Sequence, residues 1–232
     1  MKVTLVGKDT KEIEKLVKNL GLEIVTKNPD LTISHGGDGT LLSAEREYPG
    51  IPKLPLRNSQ FCNKCADHED NIMLRKLLDN KLKIKEYKKL ETTVLYKKFY
   101  ALNDFVIRNS DPTHTIRFKI NAGKLLIGDG VVITTPFGST GYFKSITGQT
   151  FDQGFGVAFN NTTEKVTPVI FQGQDSLNFK LIRGKATLSM DNNPDIFTID
   201  ESSELIFKLS DQIAKIYLDT SLRCPNCQVI RG

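Results

Sequence analysis

A chain of 232 residues, 39% hydrophobic and 25% charged, is long enough to bury one large core or two modest ones, and its composition is that of a soluble globular protein. Its net charge of +5, from 32 basic against 27 acidic residues, is too mild to mark a nucleic-acid binder. The lysine-rich stretch from Lys81 to Lys98 carries no recognition motif and reads as a solvated face of β-strands, so no nucleic-acid partner is expected. The longest apolar runs, such as Gly130 to Pro136, are strand-length, so no membrane partner is expected either. The N-terminus enters Lys2-Val3-Thr4-Leu5-Val6 without a secretory pattern, which points to a cytoplasmic protein.

In chain order, Val3 to Val6 reads as a short buried strand. Asp9 then caps a helix with Ile13, Leu16, Val17 and Leu20 at helical spacing, closed by Gly21. Leu22 to Val25 is a second strand, Asn28-Pro29-Asp30 a turn, and Leu31 to Ser34 a third strand. A helix is expected from about Thr40 to Glu47, then a strand from Pro52 to Leu56 and a helix from Asn71 to Leu78. Strands alternating with helices predict an α/β N-terminal domain over residues 1–80, with a parallel, Rossmann-like sheet. From 81 to 209 the pattern changes to short runs rich in β-branched and aromatic residues, separated by turns. They include Thr92 to Tyr96, Phe99 to Asn103, Thr115 to Ile120, Gly130 to Thr135, Ser176 to Ile182, Ala186 to Met190 and Glu204 to Leu209. Helical periodicity is nearly absent there, which predicts a second, β-rich domain.

His35-Gly36-Gly37-Asp38-Gly39-Thr40 follows a buried strand and opens a helix. Glycines let the backbone approach phosphate oxygens, and N–H groups at a helix start point toward them. A carboxylate in such a loop repels phosphate unless it binds Mg²⁺ or takes a proton from an attacking hydroxyl, so Asp38 fits either role. The same string also serves as a tight strand-to-helix turn with Asp38 as its cap.

Three segments then combine: the Gly-Gly-Asp-Gly-Thr loop, Leu102-Asn103-Asp104-Phe105-Val106-Ile107, and the run from Gly128-Asp129-Gly130 through Thr134-Thr135-Pro136-Phe137-Gly138-Ser139-Thr140-Gly141-Tyr142. Their identity, order and spacing resemble the NAD kinase family over about residues 1 to 210. The resemblance implies a kinase that transfers phosphate from ATP, with Mg²⁺, to the adenosine ribose 2′-hydroxyl of NAD; the alternatives are a kinase of the same superfamily acting on another nucleoside, a sugar or a lipid, or a non-catalytic nucleotide-binding module. Asp38 would be its catalytic group, and Gly36, Gly37, Gly39 and Thr40 would line the phosphates. Asn103 and Asp104 match the family's pair that holds the nucleotide through base and ribose; taken alone they also form a β-turn. Asp129 would meet the far end of the dinucleotide, although Asp129-Gly130 alone reads as a hairpin turn. Thr140, Gly141, Tyr142 and Ser145 would line the groove. The resemblance also implies a tail, residues 210–232, returning to the first domain. It implies at least a homodimer as well, with Phe155 to Asn161 as the stretch lent to a neighbouring subunit.

The chain departs from the family pattern in three places. Gly141 stands where the family usually has Ala, and Phe137 stands where it often has a small polar residue. Where a second glycine-rich string is usual, Pro55 to Cys65 contains no glycine. That stretch includes Cys62 and Cys65, and the four cysteines of the chain form two Cys-x-x-Cys pairs with Cys224 and Cys227. Four thiolates are the ligand set of a closed tetrahedral Zn²⁺ site, which the returning tail would assemble. Two local redox pairs or disulfides are the other readings of the same residues.

Overall fold

The computed structural model describes residues 1–57 and 69–218, and the chain divides into two compact units. The first is Met1–Tyr87 together with the end of the last strand, from Ile213; the second is Lys88–Gln212.

The first unit runs β1 (Lys2–Val6), α1 (Lys11–Asn19), β2 (Glu23–Ile24), β3 (Leu31–His35), α2 (Asp38–Glu47), β4 (Lys53–Leu56) and α3 (Asp70–Leu78). Its strands lie in the order β2-β1-β3-β4 and every pairing is parallel. Parallel strands need crossover connections, and the helices that supply them also cover the sheet, so all five residues of β3 are buried. Ile13 and Val17, one turn apart on α1, and Leu74 and Leu77 on α3 pack into one core with Val3, Ile33 and Leu54. Each such side chain contributes about 1.5–3 kcal/mol through burial.

Two helix starts differ from expectation. Thr10, not Asp9, is the N-cap of α1, because the Thr10 carbonyl accepts the first helical bond from Glu14 N–H, at 2.8 Å, while the Asp9 carbonyl faces His35 Nδ1. Helix α2 begins at Asp38, two residues early. Its cap is Gly37, so Asp38 stands in the first turn rather than capping it.

From β5 (Lys83–Val94), whose later part opens the second unit, the chain is almost all strand. It continues through β6 (Lys97–Ala101), β7 (Asp104–Asn109), β8 (Ile116–Ile120), β9 (Leu126–Gly128) and β10 (Gly130–Thr134). A 3-10 turn (Gly138–Thr140) and α4 (Tyr142–Thr147) follow. Then come β11 (Phe155–Asn160), β12 (Val169–Phe171), β13 (Ser176–Arg183), β14 (Ala186–Met190), β15 (Phe197–Ile199) and β16 (Glu204–Leu218). One antiparallel sheet has the order β12-β11-β10-β7-β14-β15. Against it lie β13 with its antiparallel neighbours β8 and β16, and β9 beside β8. Alternate residues of both layers meet in one core, where the rings of Phe105 and Phe207 approach to 5.3 Å.

Helix α4 was not expected, because six residues are too few to show a helical period. It closes on Gly148 at φ 72° and covers the outer face of the first sheet, packing Phe143 on Val132 and Ala158. That cover explains why β10 is buried on both faces and reads as an unbroken apolar run. Asp129-Gly130 is not a hairpin turn. It carries the chain from β9 in one layer to β10 in the other, and Gly130 takes φ +143° where a Cβ would stand 1.9 Å from the Ile107 carbonyl oxygen. Strand β16 runs nine residues past the expected Leu209, because Ser210-Asp211-Gln212 interrupts the apolar alternation without ending the strand. Ser210 Oγ donates to the Lys89 carbonyl at 3.0 Å, and Ile216 pairs in parallel with Lys53 of β4. Residues 219–232 of the expected tail lie outside the described residues.

Candidate functional site

In the first unit, β3 delivers the chain into Gly36-Gly37-Asp38-Gly39-Thr40 at the start of α2. Gly36 N–H is still held by the sheet, donating to the Leu56 carbonyl at 2.8 Å, and the Thr40 and Leu41 N–H groups then bond to the Gly37 carbonyl. The loop is tight: a Cβ on Gly36 would lie 2.2 Å from Thr40 Oγ1, so the glycine admits the close turn. The cap is a glycine, so no capping side chain bonds to the N–H groups of the helix start. Asp38 points outward, 51% exposed, with Oδ1 3.6 Å from Arg57 Nη2. His35, to which the sequence assigns no chemistry, braces the loop from below. Its Nδ1 lies 2.9 Å from the Asp9 carbonyl and its Nε2 3.5 Å from the Asp70 carboxylate at the start of α3.

In the second unit, Asn103 and Asp104 occupy the turn into β7, and that turn is gripped on all sides. The Asn103 carbonyl accepts from Thr134 Oγ1 (2.8 Å) and Thr135 N–H (3.0 Å), and Thr135 Oγ1 donates to the Leu102 carbonyl (2.5 Å). The N–H groups are taken by a residue the sequence does not single out. Asp191, just beyond β14, accepts from Asn103 and Asp104 N–H on Oδ1 (2.7 and 3.1 Å) and from Leu102 N–H on Oδ2 (2.9 Å). Its only sequence signal is an Asp-Asn-Asn string after a strand, which reads as a turn. The Asn103 amide in turn donates to Asp104 Oδ2 at 3.0 Å. Gly138 comes under the same turn, and a Cβ on Gly141 would lie 3.8 Å from Asn103 Nδ2. Thr140 and Gly141 are therefore beside Asn103.

Asp129 is elsewhere. It precedes Gly130, which pairs with Arg108, while Asp104 pairs with Thr134 at the other end of β10; four residues of strand separate the two ends, roughly 14 Å. Asp129 accepts from the Asn161 amide at 2.9 Å, and the neighbouring Asn160 amide donates to the Tyr142 hydroxyl at 3.2 Å. Ser145 is exposed on α4, its hydroxyl donating to the Tyr142 carbonyl at 2.7 Å. Tyr142 thus begins near Gly141 and reaches toward the Asp129 end. Of the stretch Phe155 to Asn161, residues Phe155 to Phe159 are buried in this unit's own core, so only Asn160 and Asn161 reach the surface and that stretch has two side chains to lend.

Burial, reinforced by the charge of Asp191, pushes the Asp104 carboxyl up to about 7, against a partial offset from the Asn103 amide. Burial also raises Asp191, to about 6, while three N–H groups and Lys89 favour its charge. Asp104 is therefore the member that keeps the proton longer. Both folded-state values exceed the unfolded ones, so the folded protein holds protons that the unfolded chain has already lost. Stability from this pair is complete below the unfolded range, falls as pH rises from about 4, and is lost above about 7. In thermal melts from pH 4.5 to 8, Asp104→Asn, which cannot ionise, should gain on the wild type as pH rises. A difference flat with pH would contradict this assignment.

The four cysteines proposed as metal ligands, Cys62, Cys65, Cys224 and Cys227, lie outside the described residues. Among the described residues no three His, Cys, Asp or Glu side chains converge on a metal-sized site, and no helix is long and apolar enough to cross a membrane.

No family model matches the chain. A NAD kinase of Limosilactobacillus reuteri is 30% identical over 241 residues, covering 88% of this chain and 85% of that protein. NAD kinase 2 of Bacillus cereus is 30% identical over 232 residues with the same coverage. NAD kinase 2 of Listeria monocytogenes is 34% identical over 156 residues; that match covers 61% of this chain and spans 58% of the relative's length. Among solved structures, an NAD kinase from Archaeoglobus fulgidus in complex with ATP superposes with a TM-score of 0.77 at 17% identity, covering 95% of this chain and 94% of the other. Yeast NADH kinase complexed with NADH gives 0.81 at 16% identity, covering 95% and 84%. At such identities these two show the fold alone. The identity that extends over 85% of a relative's length carries the assignment: the chain belongs to the NAD kinase family.

Proposed function

We propose that this chain is an ATP-dependent kinase that phosphorylates the adenosine ribose 2′-hydroxyl of NAD to give NADP. The observation that carries the reading is the outward-facing Asp38 at the start of α2, in a glycine loop whose backbone is pinned to the sheet. In the transfer, the 2′-oxygen forms a bond to the γ-phosphorus of ATP, the bond from that phosphorus to the β–γ bridging oxygen breaks, and ADP leaves. The hydroxyl proton passes to the Asp38 carboxylate. Asn103 offers an amide donor and acceptor to the base, and Asp104 a carboxyl to the ribose. A half-exposed carboxylate fits a hydrated Mg²⁺, which supplies charge neutralisation on the phosphates when bound; with no three-ligand cluster among the described residues, Asp38 and the substrate would hold it. The test is a coupled assay with ATP, Mg²⁺ and a panel of NAD, NADH, nucleosides, sugars and a lipid. NADP formation is expected; turnover of another acceptor with none of NAD would overturn the reading.

The same reading includes a cytoplasmic location, an assembly of two or more copies, and a structural Zn²⁺ held by Cys62, Cys65, Cys224 and Cys227. The family's use of a neighbouring subunit supports the assembly, and light scattering of an active monomer would refute it. Elemental analysis of protein purified without added metal is expected to give zinc near one per chain, lost together with thermal stability in Cys224→Ser. Metal-free, fully stable protein would remove the site.

A further inference from the structure

The turn that presents Asn103 and Asp104 owes its shape to a carboxylate 87 to 89 residues away in sequence. Three consecutive N–H groups, of Leu102, Asn103 and Asp104, converge on Asp191, and consecutive N–H groups aimed at one anion form a nest, a concavity that an anion fills. Asp191 can hold them because it takes a left-handed φ of 45°, which Asp tolerates, and because its own N–H donates back to the Asp104 carbonyl at 2.9 Å. The carbonyls of the turn are fixed separately by Thr134 and Thr135. Among the described residues, Asp191 is the acceptor on the N–H side of the turn.

We propose that Asp191 is a positioning residue for the nucleotide site: its carboxylate sets the Leu102-Asn103-Asp104 turn and so the direction in which the Asn103 amide and the Asp104 carboxyl face the acceptor. The inference rests on the NAD reading above for its kinetic consequence, and on the hydrogen bonds alone for its structural one. The charged and titratable groups that face Asp191 are Asp104 on β7 and Lys89 on β5, and the neutral Asn103 amide donates to the Asp104 carboxyl. Burial raises both carboxyls and the charge of Asp191 raises Asp104 further, so Asp191 also influences whether Asp104 meets the ribose as acid or carboxylate.

Asp191→Asn keeps the size but turns one acceptor into a donor facing an N–H group. Three readouts follow. The KM for NAD should rise about ten-fold, the scale of one lost buried hydrogen bond, with kcat and the KM for ATP within about two-fold. Amide hydrogen exchange at Leu102, Asn103 and Asp104 should accelerate about ten-fold or more while the strands of the second unit stay protected. The inflection of the NAD KM between about pH 6 and 7 in the wild type should move to lower pH, because the neighbouring charge is gone. Uniform acceleration across the whole unit, or unchanged exchange at the three amides, would overturn the proposal. Should the variant not fold, the wild type still decides: these three amides must exchange more slowly than those of the exposed Asp111–His114 turn, and equal rates would refute the nest. If NAD is not an acceptor at all, the functional reading falls while the exchange result still judges Asp191.

Discussion

Asp38→Asn is expected to lower kcat for NADP formation by about 10² to 10⁴ while leaving the melting temperature nearly unchanged. The amide keeps the side chain's shape but can neither take the hydroxyl proton nor neutralise a divalent cation. The fold should not notice, since Asp38 is 51% exposed and its ion pair with Arg57, at 3.6 Å, is of the exposed kind that contributes little. The KM for NAD should move far less than kcat, because the proposed reading gives the hold on the dinucleotide to Asn103 and Asp104 rather than to Asp38. Steady-state kinetics with a parallel thermal melt check this; a variant within two- or three-fold of wild-type turnover would remove Asp38 from the chemistry.

The largest loss of stability should come from Lys53→Met. Lys53 opens β4 with no exposed surface, its ammonium paired with Glu45 on α2 and donating to the Tyr48 carbonyl at 2.6 Å. Glu45 is itself 3% exposed, so the variant takes this cation from a buried carboxylate. Breaking one side of such a pair costs about 3–5 kcal/mol, which lowers the melting temperature of a chain this size by roughly 10 °C or more. Replacing both partners, Lys53→Met with Glu45→Leu, should recover most of that loss, because the apolar pair carries no desolvation cost. Thermal and urea melts decide it: a single variant as stable as the wild type would show that the pair does not hold α2 to the sheet. The consequence would reach the proposed chemistry, since α2 is the helix whose first residue is Asp38.

Much of the fold was legible because its elements announce themselves locally. Leu31 to Ser34 and Pro52 to Leu56 are apolar runs bounded by turns, and both became parallel strands one residue from the expected ends. Ile13 and Val17 mark a buried face by spacing alone, and they face the core. Errors came where a local signal was too short or where a distant group competed. Six residues of α4 carry no period. Asp9 loses the cap because its carbonyl faces a histidine 26 residues on. The alternative reading of Asp129-Gly130 as a hairpin turn fails in the same way: the pair crosses between sheets, with Gly130 lying against the Ile107 carbonyl.

The same division runs through the candidate site. The residue types proposed to carry the chemistry stand in contiguous strings, so the glycine loop, the Asn103-Asp104 pair and the segment through Tyr142 were visible in the sequence, as was their resemblance to one family. Periodicity likewise determined the change from alternating α/β to β-rich architecture, because side-chain spacing along a strand or helix is a property of the local chain. Tertiary structure alone decided that Asp191 grips the Asn103-Asp104 turn and that the two carboxyls share one buried environment. It also decided that Asp129 stands a strand's length from them, and that Lys53 and Glu45 meet inside the first unit. Each of these depends on which strands become neighbours, and strand pairing is set by burial of the whole core rather than by any string of residues that a sequence displays.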